Sequence, residues 1–558
     1  VLEVVKWAYD NNITVPGLPR KSLMGLPPRM EPEVWDSLTD NQRKGHRLTL
    51  AGVRQKNRSI VADRSVIDRD LGDAEHLSTF DRFYLPHNMD FRGRVYPVPH
   101  FNHQRADHIK ALFKFADGQP LGEFGIGWLS IHLANCGDFD KMSKAPFDDR
   151  LKWVEDHEAD ILQAAADPVG SIFWWGEADS PFMFLAACFE YAAWVEGGRS
   201  DDFISHIPVA LDGSNSGLQH YSAAMRSLEE ATLLALMASE KPTDLYQIVA
   251  DEVRSVVESE LDDPELATIA RLCLDQGITR SLVKRNVMTF AYSSEQYGFR
   301  QQLLDDTMRP LSDMMLTGQL KAHPYGMERE DGTMDGGFRV SGYLSARIYQ
   351  AVTRTVRKAT EGMDFFKKVA GALAHEGKPM VWTTPVGLPV MHKYAVWDVK
   401  RVQLFLFNKS VPIVEAKSYD KLDREGRGVI TRLQANIRTT PTDRIDKEKA
   451  RSAVAPNVIH SMDGAHLQLV VLAAADEGMG AFALIHDSFG THAGNTHRFF
   501  QIIREQFVDM YENYCPFETT LEEARMVLSD EGQDRLPDMP TKGDMDLSVI
   551  LDAEYAFA

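Results

Sequence analysis

The chain has 558 residues, 44% of them hydrophobic and 25% charged. That is too long for one compact domain and suggests roughly three or four packed units with an ordinary globular core. Four dispersed cysteines exclude a disulfide framework or paired metal spacing and fit a reducing compartment, and a net charge of −20 excludes a uniformly basic nucleic-acid binder.

Residues 1–80 read as helices broken by the Pro-rich stretch Val15–Pro32. Positive charge is concentrated here: Asn41–Ala62 holds Arg43, Lys44, Arg47, Arg54, Lys56 and Arg58 and no acidic residue. A polyanion could lie in such a local basic channel while the outer surface stays acidic; a solvated basic helix face is the alternative. His87–Phe101 reads as strand and turn, and Gly122–Trp194 as helices with apolar positions three and four apart. Ile207–Leu211 suits a short buried strand ending at Asp212, and helices resume from Ser216 to Arg309, stopping before Pro310. Strands are expected between Val381 and Ile437, with a hairpin tip at Asp423–Gly428. A helix follows from about Lys447, then a second short strand, Phe482–Ile485, ending at His486-Asp487. No apolar run approaches the ~20 residues of a membrane helix, so no membrane partner is expected. The chain opens on Val1 rather than Met, as a piece of a longer protein would.

Two segments share one design: an apolar strand delivers an aspartate into a turn, at Val209-Ala-Leu-Asp212 and at Ala483-Leu-Ile-His-Asp487. Carboxylates at the ends of adjacent strands can share divalent ions, which phosphoryl transfer uses to stabilise attacking and leaving oxygens. Either aspartate alone reads equally well as a turn or helix cap. Between them, Thr279–Tyr292 reads as a helix with Arg280, Lys284 and Tyr292 in one sector. A guanidinium and an ammonium one turn apart can clamp a triphosphate, and a tyrosine near the helix end can stack on a base or ribose.

These segments carry a resemblance. Asp212-Gly-Ser-Asn-Ser-Gly-Leu-Gln-His220, Arg280–Gly298 and His486-Asp487-Ser-Phe-Gly-Thr491 resemble motifs A, B and C of the single-subunit RNA polymerases of T7-like phages and mitochondria. Asp90-Phe-Arg-Gly-Arg-Val-Tyr96, Ala455–Ser461 and Tyr555-Ala-Phe-Ala558 resemble further signatures of that family, in the family's order. The resemblance implies a DNA-directed RNA polymerase, in an α+β, predominantly helical right-hand fold with a small antiparallel palm sheet. The thumb is expected at 1–80, palm segments at 81–118, 203–228 and 461–558, and a helical palm insertion at 119–202. Fingers are expected at 229–460, with a specificity hairpin at about 400–437.

The same resemblance implies two Mg²⁺ ions held by Asp212, Asp487 and the Gly213 carbonyl, with Arg280 and Lys284 on the triphosphate. Lys284 is the expected proton donor to pyrophosphate. Tyr292 and His460 would line the ribose pocket, Arg94 and Tyr96 would lie near template and hybrid, and His486 would either contact the RNA 3′ end or simply pack the turn. Arg401, Gln403, Arg432 and Gln434 would read promoter bases, an exposed polar hairpin face being the alternative. Expected partners are double-stranded DNA, nascent RNA and NTPs, for a monomer working in the cytoplasm of an infected bacterium.

Three departures stand out. Ser293 follows Tyr292 where the phage enzymes usually carry Gly, the hairpin is longer than its T7-like counterpart, and the family's N-terminal domain has no counterpart before Val1. A related hand-shaped DNA polymerase is the nearest rival, but the 2′-hydroxyl-blocking glutamate typical of its motif A is missing from Asp212–Gln219. A catalytically inert nucleic-acid-binding protein would be expected to lose an aspartate or the lysine, and a metal-dependent nuclease has no need of the Arg280–Tyr292 face.

Overall fold

The computed structural model describes residues 1–558 apart from 317–318, 330–333, 412–420 and 423–427. Helices dominate, and one apolar core runs through almost all of them, from Val4 to Phe557. Gly122–Gly137 and Pro181–Glu196 are apolar on nearly every side, so both are buried, packed against each other. Ala493–Asn513 packs on the first of them and supports a three-stranded antiparallel sheet. In that sheet Ser488–His492 lies centrally, flanked by Ala483–Ile485 and Pro208–Asp212.

The helix Lys447–Asp476 is the spine of the site. Asp446 caps it by accepting from the Lys449 amide at 3.0 Å, and Pro456 removes one rung without ending it. By length and composition this helix could cross a membrane, but most of its apolar stretch is buried inside the fold. At Gly464 the turn Asp90–Arg94 rests directly on the helix: a Cβ there would sit 2.9 Å from the Gly93 carbonyl oxygen. Gly93 itself turns with φ +99°. Because His460, Asp463 and Gly464 are three and four residues apart, they form one stripe beneath that turn.

The expected strands after Val381 are present: Met380–Thr383 pairs with Pro389–His392, and Ala395–Val411 pairs with Gly428–Ile445. Of the expected tip at Asp423–Gly428, residues 423–427 lie outside the described residues. Two expectations fail locally. Helical structure does not stop at Arg309: a π turn over Leu304–Met308 runs into Arg309–Leu316. The wider turn just before Pro310 loosens the ladder where the ring would otherwise crowd the preceding carbonyls. Likewise the helix carrying Arg280 and Lys284 ends at Phe290, so Tyr292 stands beyond its end in a turn, its amide donating to the Thr289 carbonyl at 3.1 Å.

Candidate active site

Alternation along Pro208–Asp212 buries Val209 and Leu211 and turns Pro208, Ala210 and Asp212 to the open face. Ser488 pairs with Asp212 across the sheet and with Ile485 in the hairpin. The two-residue turn His486-Asp487 therefore projects beside the end of the first strand. His486 takes a φ of 50°, a conformation costly for a non-glycine residue and held only by strong surroundings. The Gly213 amide donates to the Asp487 carbonyl at 3.2 Å, and the Ala558 amide donates to the Asp212 carbonyl at 3.1 Å. Ser214 Oγ donates to the Tyr555 carbonyl at 2.9 Å, and Gln219 Nε2 donates to the Ala556 carbonyl at 2.9 Å. The chain terminus is thus part of the site floor.

A cleft of about 660 Å³ opens above this floor. Asp212, Gly213, Arg280, Lys284, Tyr292 and Asp487, six residues expected from the sequence to act together, all line it. The Asp212 carboxylate faces the cleft but is crowded by protein on its other sides. That crowding, with the nearby charge of Asp487, pushes its pKa up to about 7. Burial raises Asp487 as well. Two hard oxygen donors that resist being charged together, beside a backbone carbonyl, suit a divalent cation that retains water and takes substrate phosphate.

Arg280 Nε donates to Asp244 Oδ2 at 2.5 Å, and its guanidinium lies 5.1 Å from the centre of the Tyr246 ring. Asp244 also caps the helix Leu245–Ser259 by accepting from the Tyr246 and Gln247 amides, which ties the arginine to a rigid element. Sequence reasoning missed Asp244 and Tyr246, although the aspartate before an apolar helix was a readable cap signal. It also missed Lys110 and Lys144, which line the same cleft. Burial, then Arg150 and Arg280, lowers the pKa of Lys144. A second cavity of about 580 Å³ continues along the same sheet face past Ala210 and Pro208 and shares Lys110 and Ser488 with the cleft.

Tyr292 packs on His460, with ring centroids 5.1 Å apart. Tyr96 meets His486 edge-on at 4.6 Å. Burial, then Arg94, lowers His486 to about 4. Arg94 turns inward rather than to the cleft: its Nε donates to Asp463 Oδ1 at 2.9 Å and its Nη2 to Oδ2. On the long hairpin, Gln403 stands opposite Gln434, Arg401 opposite Asn436 and Arg432 opposite Phe405, so all these positions share one face. Arg401, Gln403 and Gln434 are exposed, and they line neither cavity; the side chain of Arg432 lies outside the described residues.

Comparison with known proteins gives a consistent result. The family described as DNA-dependent RNA polymerase matches residues 119–534. The whole chain aligns, at 35% identity, with 62% of the DNA-directed RNA polymerase of Enterobacteria phage T3. It also aligns in full, at 33% identity, with 62% of T7 RNA polymerase of Escherichia phage T7. The chloroplastic DNA-directed RNA polymerase 3B of Nicotiana tabacum is 32% identical, the whole chain covering 52% of it. The chain therefore spans about three fifths of the length of the phage relatives it matches.

Proposed function

The chain belongs to the family of DNA-dependent RNA polymerases, and from that premise we propose that it synthesises RNA from NTPs on a DNA template. The observation that carries the proposal is the meeting of Asp212 and Asp487 at the floor of a cleft walled by Arg280, Lys284 and Tyr292.

Asp212, Asp487 and the Gly213 carbonyl would hold two magnesium ions, which when bound lower the cost of charge on the attacking 3′-hydroxyl and on the departing pyrophosphate. The chain's own residues do the rest by position and charge. Arg280, steadied by Asp244 and Tyr246, grips the triphosphate through its remaining guanidinium donors. Lys284 Nζ, one turn along the same helix, adds a point charge and supplies a proton to pyrophosphate. Tyr292 and His460, in ring contact, form the sugar side of the site. Tyr96 and His486 would approach the RNA 3′ end, and Arg94 would act there through Asp463 and the spine helix rather than by direct contact.

In this reading the right hand is divided as the resemblance implies, with the thumb at 1–80, palm at 81–118, 203–228 and 461–558, the insertion at 119–202 and fingers at 229–460. The face of the long hairpin bearing Arg401, Gln403, Arg432 and Gln434 is the proposed reader of promoter DNA, in a monomer at work in an infected bacterium. The test is to offer NTPs or dNTPs, one base at a time, to an RNA primer on each of four DNA templates with Mg²⁺. Addition only of the complementary ribonucleotide is expected. Untemplated addition, preference for dNTPs, or cleavage of the primer would overturn the reading in favour of a transferase, a DNA polymerase or a nuclease.

A further inference from the structure

The turn Asp90–Arg94 does more than approach the cleft. Asp90 Oδ2 accepts from Arg92 Nε at 3.0 Å and from Arg92 Nη2 at 2.7 Å. Asp90 Oδ1 accepts from the Arg92 amide at 2.9 Å. The remaining terminal nitrogen, Arg92 Nη1, lies 2.6 Å from Nδ1 of His460, which is 368 positions away in the chain. A guanidinium carries only donors, so that contact requires a lone pair on Nδ1. The hydrogen of a neutral imidazole must then sit on Nε2. Burial, followed by the charges of Arg94 and Arg92, holds the pKa of His460 down at about 3, which keeps the ring neutral across working pH. Among the described residues Nε2 has no protein partner, and the ring packs against Tyr292, which itself lines the cleft.

We propose that Arg92, locked by Asp90, is a positioning residue for sugar selection: it fixes His460 as the Nε2–H tautomer, so that His460 presents a donor to the incoming nucleotide. The proposal rests on the reading of this cleft as a ribonucleotide site. A 2′-hydroxyl can accept that hydrogen while donating its own elsewhere; a 2′-deoxy sugar leaves the imidazole donor without a partner in a partly buried site, and sites built to bond a hydroxyl reject analogues that lack it. With Arg92 removed, the ring would be free to carry its hydrogen on Nδ1 and turn an acceptor to the sugar, which a 2′-hydroxyl whose single hydrogen is already given elsewhere cannot bond.

The test is single-nucleotide addition on a primed DNA template, comparing a ribonucleotide with its 2′-deoxy analogue. Arg92→Met is expected to lower the ribonucleotide preference about fivefold, the worth of one neutral hydrogen bond. The loss should fall on the KM for the ribonucleotide and leave the deoxynucleotide unchanged. Arg92→Lys, which still donates, should restore most of the preference. In a His460→Ala background, Arg92→Met should change the preference by about twofold at most, because the two residues act as one unit. Equal losses on both nucleotides, or an undiminished effect in the His460→Ala background, would overturn the proposal. The tautomer is read independently of turnover from the ¹⁵N shifts of His460 in the parent protein: an unprotonated Nδ1 is expected, and a protonated Nδ1 overturns the assignment by itself. A parent that adds neither nucleotide overturns the polymerase reading and the sugar role with it, while the ¹⁵N result still judges the tautomer.

Discussion

Replacing Asp463 should cost far more stability than replacing its partner Arg94. The pair is almost sealed: the side chains are 12% exposed for Arg94 and 4% for Asp463. An arginine cannot shed its proton in a protein, so Asp463→Leu leaves an uncompensated charge inside the fold, at a cost of about 3–5 kcal/mol. A carboxyl group has an escape that the guanidinium lacks. Burial already holds Asp463 up at about 6 with Arg94 alongside. In Arg94→Met that pKa rises further, and the group takes up a proton at neutral pH. What remains is an imperfectly bonded neutral carboxyl, at about 1–3 kcal/mol. The native state of Arg94→Met then binds a proton that the unfolded chain releases, so its stability should fall steadily as pH rises from about 4 through neutral. The double variant Arg94→Met/Asp463→Leu removes both charges and should be more stable than Asp463→Leu alone. Urea denaturation followed by circular dichroism, at pH 5.5 and pH 8, measures all four proteins. Equal costs for the two single variants, or a double variant that loses their sum, would show that Asp463 does not escape its charge by taking up a proton.

Ser293 holds a φ of 63°, and its buried Oγ has no partner among the described residues. Relief of roughly 1 kcal/mol each from backbone and hydroxyl, less a similar entropy term, leaves Ser293→Gly about 1 kcal/mol more stable; an unchanged or lower urea midpoint would contradict this. Glu230 is buried, accepts from the Lys358 and Ala359 amides at the start of the helix Arg357–His375, and has its pKa raised by burial to about 7. A raised carboxyl binds its proton more tightly in the folded state, so this group's contribution is lost as pH climbs through about 7. The parent should therefore lose stability relative to Glu230→Gln between pH 5 and pH 8, and a constant difference in midpoint would refute the assignment.

Asp212 and Asp487 are legible in the chain because each ends a short apolar run, a pattern that depends only on neighbours. The helix beginning at Lys447 is legible for the same reason. Tyr292 is harder to place: Arg280, Lys284 and Tyr292 fit one helical face by count, and only the fold shows that the helix ends at Phe290. Pro310 is a strong local stop signal that a π turn overrides. What the chain conceals most completely is contact between distant segments. Nothing near Asp90 announces that Arg92 will meet His460, or that Arg94 will meet Asp463. The tail Tyr555–Ala558 stands out as a family signature, yet its place in the floor beside Asp212 comes from the pairing of Phe557 with Gly213 and the bond from the Ala558 amide to the Asp212 carbonyl. Lys110 and Lys144 carry no spacing signal at all and are brought to the cleft by packing.

We propose that Asp212 and Asp487 form a metal-dependent nucleotidyl-transfer centre. The most direct test is Mg²⁺-dependent addition of one complementary NTP to an RNA primer on DNA, comparing the parent with Asp487→Asn, which keeps the shape of the side chain and removes its charge. Templated addition by the parent, slowed about a thousandfold or more in the variant, is the predicted result. A well-folded Asp487→Asn protein that extends the primer at the parental rate would contradict the account.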